Sequence, residues 1–202
     1  MSPEYRLNSK KAMKCRFSMK SKLHPIASKN TSYWTRATPA QLRLIEAFCA
    51  GKEIVDLGGR DGSFACHLLS AGARRATNLD HSKGLHRIIA KNLTHHVGTF
   101  AGYHAAFPNR RWDVGILSWP VKFASIIGAV IPILNNCETV VYLGKNSAST
   151  QCGSRDLWEH LTGRDLLTHI ERNVASVLIY GGAERTAELI QEEEWGLKAL
   201  DY

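Results

Sequence analysis

The sequence predicts an α/β protein with a doubly wound, mainly parallel sheet of about seven strands and helices on both faces. Segments with the composition of strands alternate along the chain with segments of helical periodicity. The strand segments are continuous apolar runs, as is typical of parallel strands buried on both faces. Hydrophobic residues make up 44% and charged residues 22% of the chain, which excludes a wholly disordered protein.

The first predicted helix begins at Thr38, an N-cap residue followed by proline at the first helical position. Its apolar residues recur at helical spacing until Gly51, which ends it. The next segments are a strand over 53–57, a glycine-rich turn over 58–62, a helix over 63–71 and a strand over 76–79 closed by Asp80.

The alternation continues through the second half of the chain. Residues 82–92 predict a helix with Ile89 facing inward, and residues 99–104 predict a third strand that Gly102 interrupts. The later predicted elements are a strand over 112–117, a helix over 122–134, a strand over 139–143, a helix over 155–161, two antiparallel strands within 166–180 and a terminal helix over 183–199.

The net positive charge of the chain comes entirely from its N-terminal segment. Residues 1–36 hold nine basic groups and one acid, so they carry the whole net charge of +8, while residues 37–202 are neutral overall. We therefore divide the chain into a basic, flexible arm (1–36) and a single domain (37–202). The arm is a solvated tail, a binding segment for the phosphates of RNA or DNA, or an organellar targeting peptide.

The remaining composition predicts a cytoplasmic protein without a membrane span. No apolar run approaches the ~18 residues that cross a bilayer, and the arm lacks the apolar segment of a secretory signal. The cysteines are odd in number and form no C-x-x-C pair, as expected in a reducing compartment. Cys49, Cys66 and Cys137 have apolar neighbours and are predicted to be buried. The histidines show no metal-ligand spacing, so no metal site is expected.

The turn after the first strand is the candidate ligand site. In a doubly wound sheet, ligands bind beyond the carboxyl ends of the strands, and a glycine turn lets them lie against the backbone. Asp80 ends the second strand 22 residues after Gly58, a spacing that suits hydrogen bonds to the two hydroxyls of a ribose. A dinucleotide site is disfavoured because G-x-G-x-x-G is missing, and Tyr142 and Lys145 do not form the Tyr-x-x-x-Lys pair of short-chain dehydrogenases.

Residues 53–62, Glu-Ile-Val-Asp-Leu-Gly-Gly-Arg-Asp-Gly, resemble the first motif of class I S-adenosylmethionine-dependent methyltransferases. The motif is a hydrophobic strand followed by D-x-G-x-G-x-G, and the resemblance extends over about 38–180. It implies that Asp56 lies near the methionine ammonium and that Asp80 holds the ribose. The turn residues that it assigns to cofactor binding are Gly58, Gly59, Arg60 and Gly62. Arg60 departs from the family because it stands where the middle glycine usually lies.

The resemblance also gives the segment after the fourth strand a role. Nucleic acid amino-methyltransferases carry Asp, Asn or Ser followed by Pro-Pro and an aromatic residue, and Ser118-Trp119-Pro120 retains part of that motif. Ser118 would accept a hydrogen bond from the target amine, and Trp119 would lie against the target ring. Alternatively, Trp119 is an interior packing residue and Pro120 simply starts the next helix.

A few other residues have two interpretations each. Asp61 is predicted to cap the following helix rather than to catalyse. His104 is a surface residue or lies near the adenine. Tyr33 and Trp34 anchor the end of the arm, or fold over the pocket and stack on a base.

The glycine-rich turn, Asp80 and the basic arm, together with the family resemblance, predict a methyltransferase that uses S-adenosyl-L-methionine and acts on nucleic acid. Two alternatives remain open: a small-molecule methyltransferase, and a catalytically degenerate methyltransferase fold that binds RNA. A nicotinamide-dependent oxidoreductase is disfavoured. The sequence leaves the methyl acceptor and the oligomeric state open.

Overall fold

The computed structural model describes residues 36–82, 88–120, 124–145, 152–171 and 175–181. The predicted arm up to residue 35, with Tyr33 and Trp34, and the predicted helix over 183–199 lie outside the described residues. The division of the chain at residue 36 therefore stays a prediction. Among the described helices, none has the length and apolar character needed to cross a membrane.

Seven strands form one mixed sheet with the order β3-β2-β1-β4-β5-β7-β6. Strands β1 to β5 pair in parallel, whereas β7 is antiparallel to both of its neighbours. The seven strands and the antiparallel pair at the end of the chain confirm the prediction. The strands are β1 (Glu53–Leu57), β2 (Arg75–Asp80), β3 (Leu93–Val97), β4 (Trp112–Ser118), β5 (Cys137–Gly144), β6 (Leu166–Glu171) and β7 (Ser176–Tyr180).

Helices cover both faces of the sheet, as predicted. Helices α1 and α2 pack Ile45, Phe64 and Leu68 on one face, while α3, α4 and α5 cover the other face. Their bounds are α1 (Pro39–Cys49), α2 (Ser63–Ser70), α3 (Phe100–Ala106), α4 (Ala124–Leu134) and α5 (Arg155–Thr162). The three cysteines predicted to be buried, Cys49, Cys66 and Cys137, are buried.

Helix α1 begins as predicted and is tied to the far end of the sheet. The Thr38 side chain accepts a hydrogen bond from the Gln41 backbone N–H, and the Gln41 side chain accepts one from the Thr38 N–H, which completes a capping box. The buried Gln41 amide also donates to the carbonyl oxygens of Ile170 and Ala175, at 3.1 and 2.7 Å. This fastens α1 to the β6–β7 hairpin.

The prediction of a third strand over 99–104 is wrong. Thr99 instead caps α3, because its side chain accepts a hydrogen bond from the Gly102 N–H at 3.0 Å, and His104 lies in the last turn of that helix. The third strand is β3, which is polar and lies at the edge of the sheet.

The predicted helix over 82–92 is absent from its described C-terminal part. Residues 83–87 lie outside the described residues, and residues 88–92 are not helical. Ile89, which was expected to face inward, is 55% exposed.

Candidate functional site

The candidate site lies where the carboxyl ends of β1, β2 and β4 meet. Strand β1 stands between β2 and β4 in the sheet, so the turn that follows it over 58–62 borders the ends of both neighbours. Three of the five turn residues have a left-handed backbone: Gly58 and Gly62, each with φ of 81°, and Arg60 with φ of 51°. Two backbone hydrogen bonds hold the turn, from Gly62 to Gly59 and from Gly58 to Leu79. The sequence-predicted turn is therefore present.

Arg60 occupies a conformation that glycine adopts more easily. A left-handed backbone costs a non-glycine residue roughly 1–2 kcal/mol because its β-carbon crowds the following carbonyl. Its N–H donates to Asp80 Oδ2 at 2.9 Å, and its carbonyl accepts from Asn78 Nδ2 at 3.0 Å. Both backbone groups of Arg60 are thus fixed by β2, which keeps the turn in place despite the strain.

Asp80 fastens the turn to the end of β2. Its side chain is 3% exposed, and its two oxygens accept hydrogen bonds from the N–H groups of Arg60 (2.9 Å) and Ser82 (2.7 Å). The sequence predicted only that Asp80 and the turn belong to one site, and the structure shows the hydrogen bond between them. Each carboxylate oxygen can accept a second hydrogen bond, so Asp80 retains the capacity to bind ligand hydroxyls. A ribose contact stays a prediction.

Asp56 lies beneath the turn and is fully buried. Among the described residues, no well-aligned hydrogen bond reaches either of its oxygens, and the Ala65 N–H is a nearby donor that acts on the carboxyl. Burial, followed by the negative charges of Asp80 and Asp61, raises its pKa to about 7, although the Ala65 N–H counteracts part of this rise. Gly59 lies directly over the carboxyl, since a β-carbon built on it would collide with Asp56 Oδ2. A contact with a ligand ammonium stays a prediction.

Two residues of this region were not identified from the sequence, Asn78 and His95. Asn78 is buried in β2 between the turn and β3, and its Nδ2 lies 3.0 Å from His95 Nδ1. The available signal was an amide next to Thr77 in the short predicted strand before Asp80. An amide inside a buried strand needs partners, and here they are the turn and β3.

Asp61 supports the start of α2 as predicted, although the N-cap residue itself is Gly62. The Oδ1 of Asp61 accepts a hydrogen bond from the Ser63 N–H at 3.1 Å, at the first residue of α2. Its carbonyl oxygen also accepts one from the Ile88 N–H at 3.0 Å. These two hydrogen bonds fix the backbone just before α2.

The segment after β4 borders the same edge of the sheet. Trp119 has a left-handed φ of 53°, and such strain costs of order 1–3 kcal/mol and often occurs at functional sites. Its N–H donates to the Leu143 carbonyl at 2.6 Å, and the Pro120 carbonyl accepts from Gly153 at 3.0 Å. Buried Ser118 Oγ has no hydrogen-bond partner among the described residues.

The Trp119 ring supports the packing interpretation. It packs at the margin of the core on the α1 and α2 face, and the Arg36 guanidinium carbon lies 5.2 Å from its centroid. A cation over an indole face at this distance is a favourable contact. Arg36 belongs to the predicted basic arm, so this contact places the last residue of the arm beside the end of β4.

A separate cleft lies at the opposite edge of the sheet, lined by residues that include Glu53 and Asp113. Two of its three acids are paired, since Glu53 forms ion pairs with Arg110 and Arg74, and Asp113 with Arg74, while the third, Glu138, is exposed. The unpartnered buried oxygens of Asp56 and Ser118 are instead associated with the strand ends described above. The carboxyl edge is thus the better candidate for ligand chemistry.

No protein-family model matches the chain, and no curated protein sequence does. Solved structures do match. The N-methyltransferase NodS from Bradyrhizobium japonicum gives a TM-score of 0.56 at 11% identity over 76% of this chain and 98% of that one. A proposed RNA methyltransferase, PH1948, from Pyrococcus horikoshii gives 0.54 at 15% identity over 70% and 80%. The proposed methyltransferase YhhF from Escherichia coli gives 0.52 at 9% identity over 69% and 80%. The strand order and these similarities together show that the chain has the class I methyltransferase fold.

Proposed function

We propose that the protein is an S-adenosyl-L-methionine-dependent methyltransferase that acts on nucleic acid. The observation that carries the cofactor part is the hydrogen bond between the glycine-rich turn and Asp80, at the carboxyl edge of a class I methyltransferase fold. This edge is where doubly wound sheets bind their ligands.

The residues of the turn fit a nucleoside cofactor. A β-carbon on Gly58 would meet nothing within 4 Å, so one side of the turn borders open space. Asp80 retains acceptor capacity for ribose hydroxyls beyond its two backbone hydrogen bonds. The start of α2 adds backbone N–H groups and the positive end of the helix dipole, which favour anionic ligand groups such as a carboxylate. When bound, S-adenosyl-L-methionine supplies a methyl group activated by the sulfonium.

Methyl transfer depends mainly on positioning. In-line displacement needs the acceptor atom aligned with the methyl group, and fixed alignment lowers the barrier by several kcal/mol. Ser118 Oγ is buried and unpartnered among the described residues, so it is available to accept a hydrogen bond from an acceptor amine. The backbone hydrogen bonds of Trp119 and Pro120 to β5 and to Gly153 fix the segment that carries it.

The basic arm favours nucleic acid as the substrate class. Residues 1–36 carry the full net charge of +8, and such charge gives sequence-independent affinity for phosphates. Arg36 over Trp119 places the end of this segment beside the end of β4. Arg36 therefore lies close to the segment that carries Ser118. Of the similar structures, PH1948 is described as a proposed RNA methyltransferase, which agrees with this substrate class.

Neutralising arm lysines is expected to weaken nucleic-acid binding and its salt dependence. If Lys10 and Lys11 each contact a phosphate, the double change to Gln should lower the slope of log affinity against log salt by about 2. Incubation with a tritiated methyl donor and separate pools of RNA, DNA and small molecules would measure methyl transfer. Fluorescence anisotropy would measure nucleic-acid binding. The matched control replaces two exposed charges of the domain, Lys91 and Arg111, with Gln.

The outcomes separate the candidate functions. Labelled RNA or DNA, with less label in the arm variant than in the control, supports the proposal. Label in small acceptors alone would support a small-molecule methyltransferase. Salt-sensitive RNA binding without label in any pool would support a binding protein, for which strained Arg60 is the favouring observation.

A further inference from the structure

A row of three polar side chains crosses three neighbouring strands directly beneath the turn. Asp56 of β1 is paired in register with Asn78 of β2, and Asn78 is paired with His95 of β3. The proposed reaction uses none of these groups directly. Their hydrogen bonds nevertheless reach the Arg60 carbonyl in the middle of the turn.

The direction of each hydrogen bond in this polar row follows from its partners. The Arg60 carbonyl only accepts, so the atom of Asn78 that contacts it must be the donor Nδ2. The same Nδ2 lies 3.0 Å from His95 Nδ1, which must therefore accept. His95 then carries its proton on Nε2, and that nitrogen donates to the Ile88 carbonyl at 2.7 Å.

This orientation directs the acceptor oxygen of Asn78 toward Asp56. A methyl group built on Gly59 would collide with Asn78 Oδ1 and with Asp56 Oδ2, so these two oxygens are neighbours under the same α-carbon. No well-aligned hydrogen bond reaches either oxygen among the described residues, and the nearby Ala65 N–H, which lowers the pKa of Asp56, only partly offsets its rise. Two acceptor oxygens in one buried space attract each other only if one of them carries a proton.

The charges around Asp56 also favour the proton. The acids that face it are Asp80 from β2 and Asp61 from the turn, and both act on it as negative charges. From α1 it is approached by the Cys49 thiol, whose own pKa is raised by burial and by Asp56. Further along α1, Glu46 is paired with His67 of α2. No cation is among the groups that shift the pKa of Asp56, which lies at about 7.

We infer that Asp56 acts as a neutral acid that donates its proton to Asn78 Oδ1, and that this bond completes the polar row and positions the turn for its ligand. Asp56 is thus a positioning residue. Ionisation of Asp56 would set a carboxylate against the neutral amide oxygen of Asn78 without a proton between them and would loosen the support of Arg60. The ligand part of this inference rests on the proposed function, whereas the protonation of Asp56 does not.

Asp56→Asn is the most informative variant because its amide donates to Asn78 Oδ1 at every pH. In the wild type, the pKa of Asp56 lies above its ordinary value of 3.8, so its stabilising effect is complete below that pH and is lost as pH rises through about 7. We expect the melting temperature of the wild type to fall relative to that of Asp56→Asn as the pH rises from about 4 to about 7, with little further change above that range. Parallel curves for the two proteins would overturn the inference.

Asp56→Leu tests whether the proton bond itself matters. Leucine also removes the charge, but it leaves Asn78 Oδ1 without a donor, so this variant should melt below Asp56→Asn at pH 6. Equal melting temperatures for the two variants would show that only the loss of charge matters and would contradict the inference.

Infrared spectroscopy tests the protonation of Asp56 in the wild-type protein, without any substitution. A protonated-carboxyl band should be present at pH 6 and should be lost near neutral pH; its absence at pH 6 would overturn the inference.

Ligand affinity tests the positioning role. The affinity of the wild type for S-adenosylhomocysteine should fall several-fold from pH 6 to pH 8, while that of Asp56→Asn stays level and exceeds the wild type at pH 8. A loss of affinity in Asp56→Asn at both pH values would show that a carboxylate is required and would overturn the role. If the wild type bound no ligand at any pH, the proposed function would fail. The melting and infrared results would then still decide the protonation of Asp56.

Discussion

Asp80→Ala is expected to weaken cofactor binding strongly and to destabilise the turn. The substitution leaves the buried N–H groups of Arg60 and Ser82 without their acceptor and removes the acceptor proposed for the ribose. Buried unsatisfied donors cost about 1–3 kcal/mol each, so we expect a loss of roughly 3 kcal/mol in unfolding free energy. The affinity for S-adenosylhomocysteine should fall on the order of 100-fold.

Calorimetric titration and thermal unfolding would measure both effects. Asp61→Ala is the matched control, because Asp61 belongs to the same turn and its side chain accepts a hydrogen bond from the Ser63 N–H. Loss of such a cap typically costs about 1 kcal/mol. If Asp80→Ala bound the ligand as tightly as the control does, the ribose assignment would be wrong, and Asp80 would serve only to hold the turn.

Gly59→Ala is expected to be the most damaging single-methyl change at the site. Its β-carbon would lie closer than 3.0 Å to the Asp56 carboxyl and to Asn78 Oδ1, and both side chains are buried. Neither side chain can move aside without breaking the packing beneath the turn. We expect a loss of about 3 kcal/mol, at the upper end for overpacking, or roughly 6–12 °C in melting temperature.

Gly98→Ala provides the comparison for this experiment. Gly98 follows β3 on the same side of the sheet, and its added β-carbon would be 3.5 Å from the nearest atom, an ordinary contact. That variant should unfold close to the wild type. Similar melting temperatures for the two alanine variants would mean that the space beneath Gly59 is larger than the structure shows.

The fold was largely predictable because its central strands are buried on both faces. The apolar stretches of β1, β4 and β5 are continuous, and the Thr38 cap and the glycine turn mark helix boundaries clearly. Strand β3 was missed for the opposite reason. It pairs on one side only, and its mixture of exposed and partly buried residues leaves no continuous apolar run.

The candidate site was predictable only in part. Glycine spacing and a strand-end acid identified the turn and Asp80 from sequence, since both follow local rules. The left-handed backbone of Trp119 was not predictable, because its N–H bonds to Leu143 of a neighbouring strand. The polar row was also missed, since Asn78 and His95 meet through strand register rather than through sequence proximity.

The most direct test of the central claim is a crystal structure of the protein saturated with S-adenosylhomocysteine. The account predicts the ribose hydroxyls within hydrogen-bond distance of the Asp80 carboxylate and the ligand against the open side of Gly58. A ligand bound elsewhere, a ribose turned away from Asp80, or crystals without bound ligand would contradict the account.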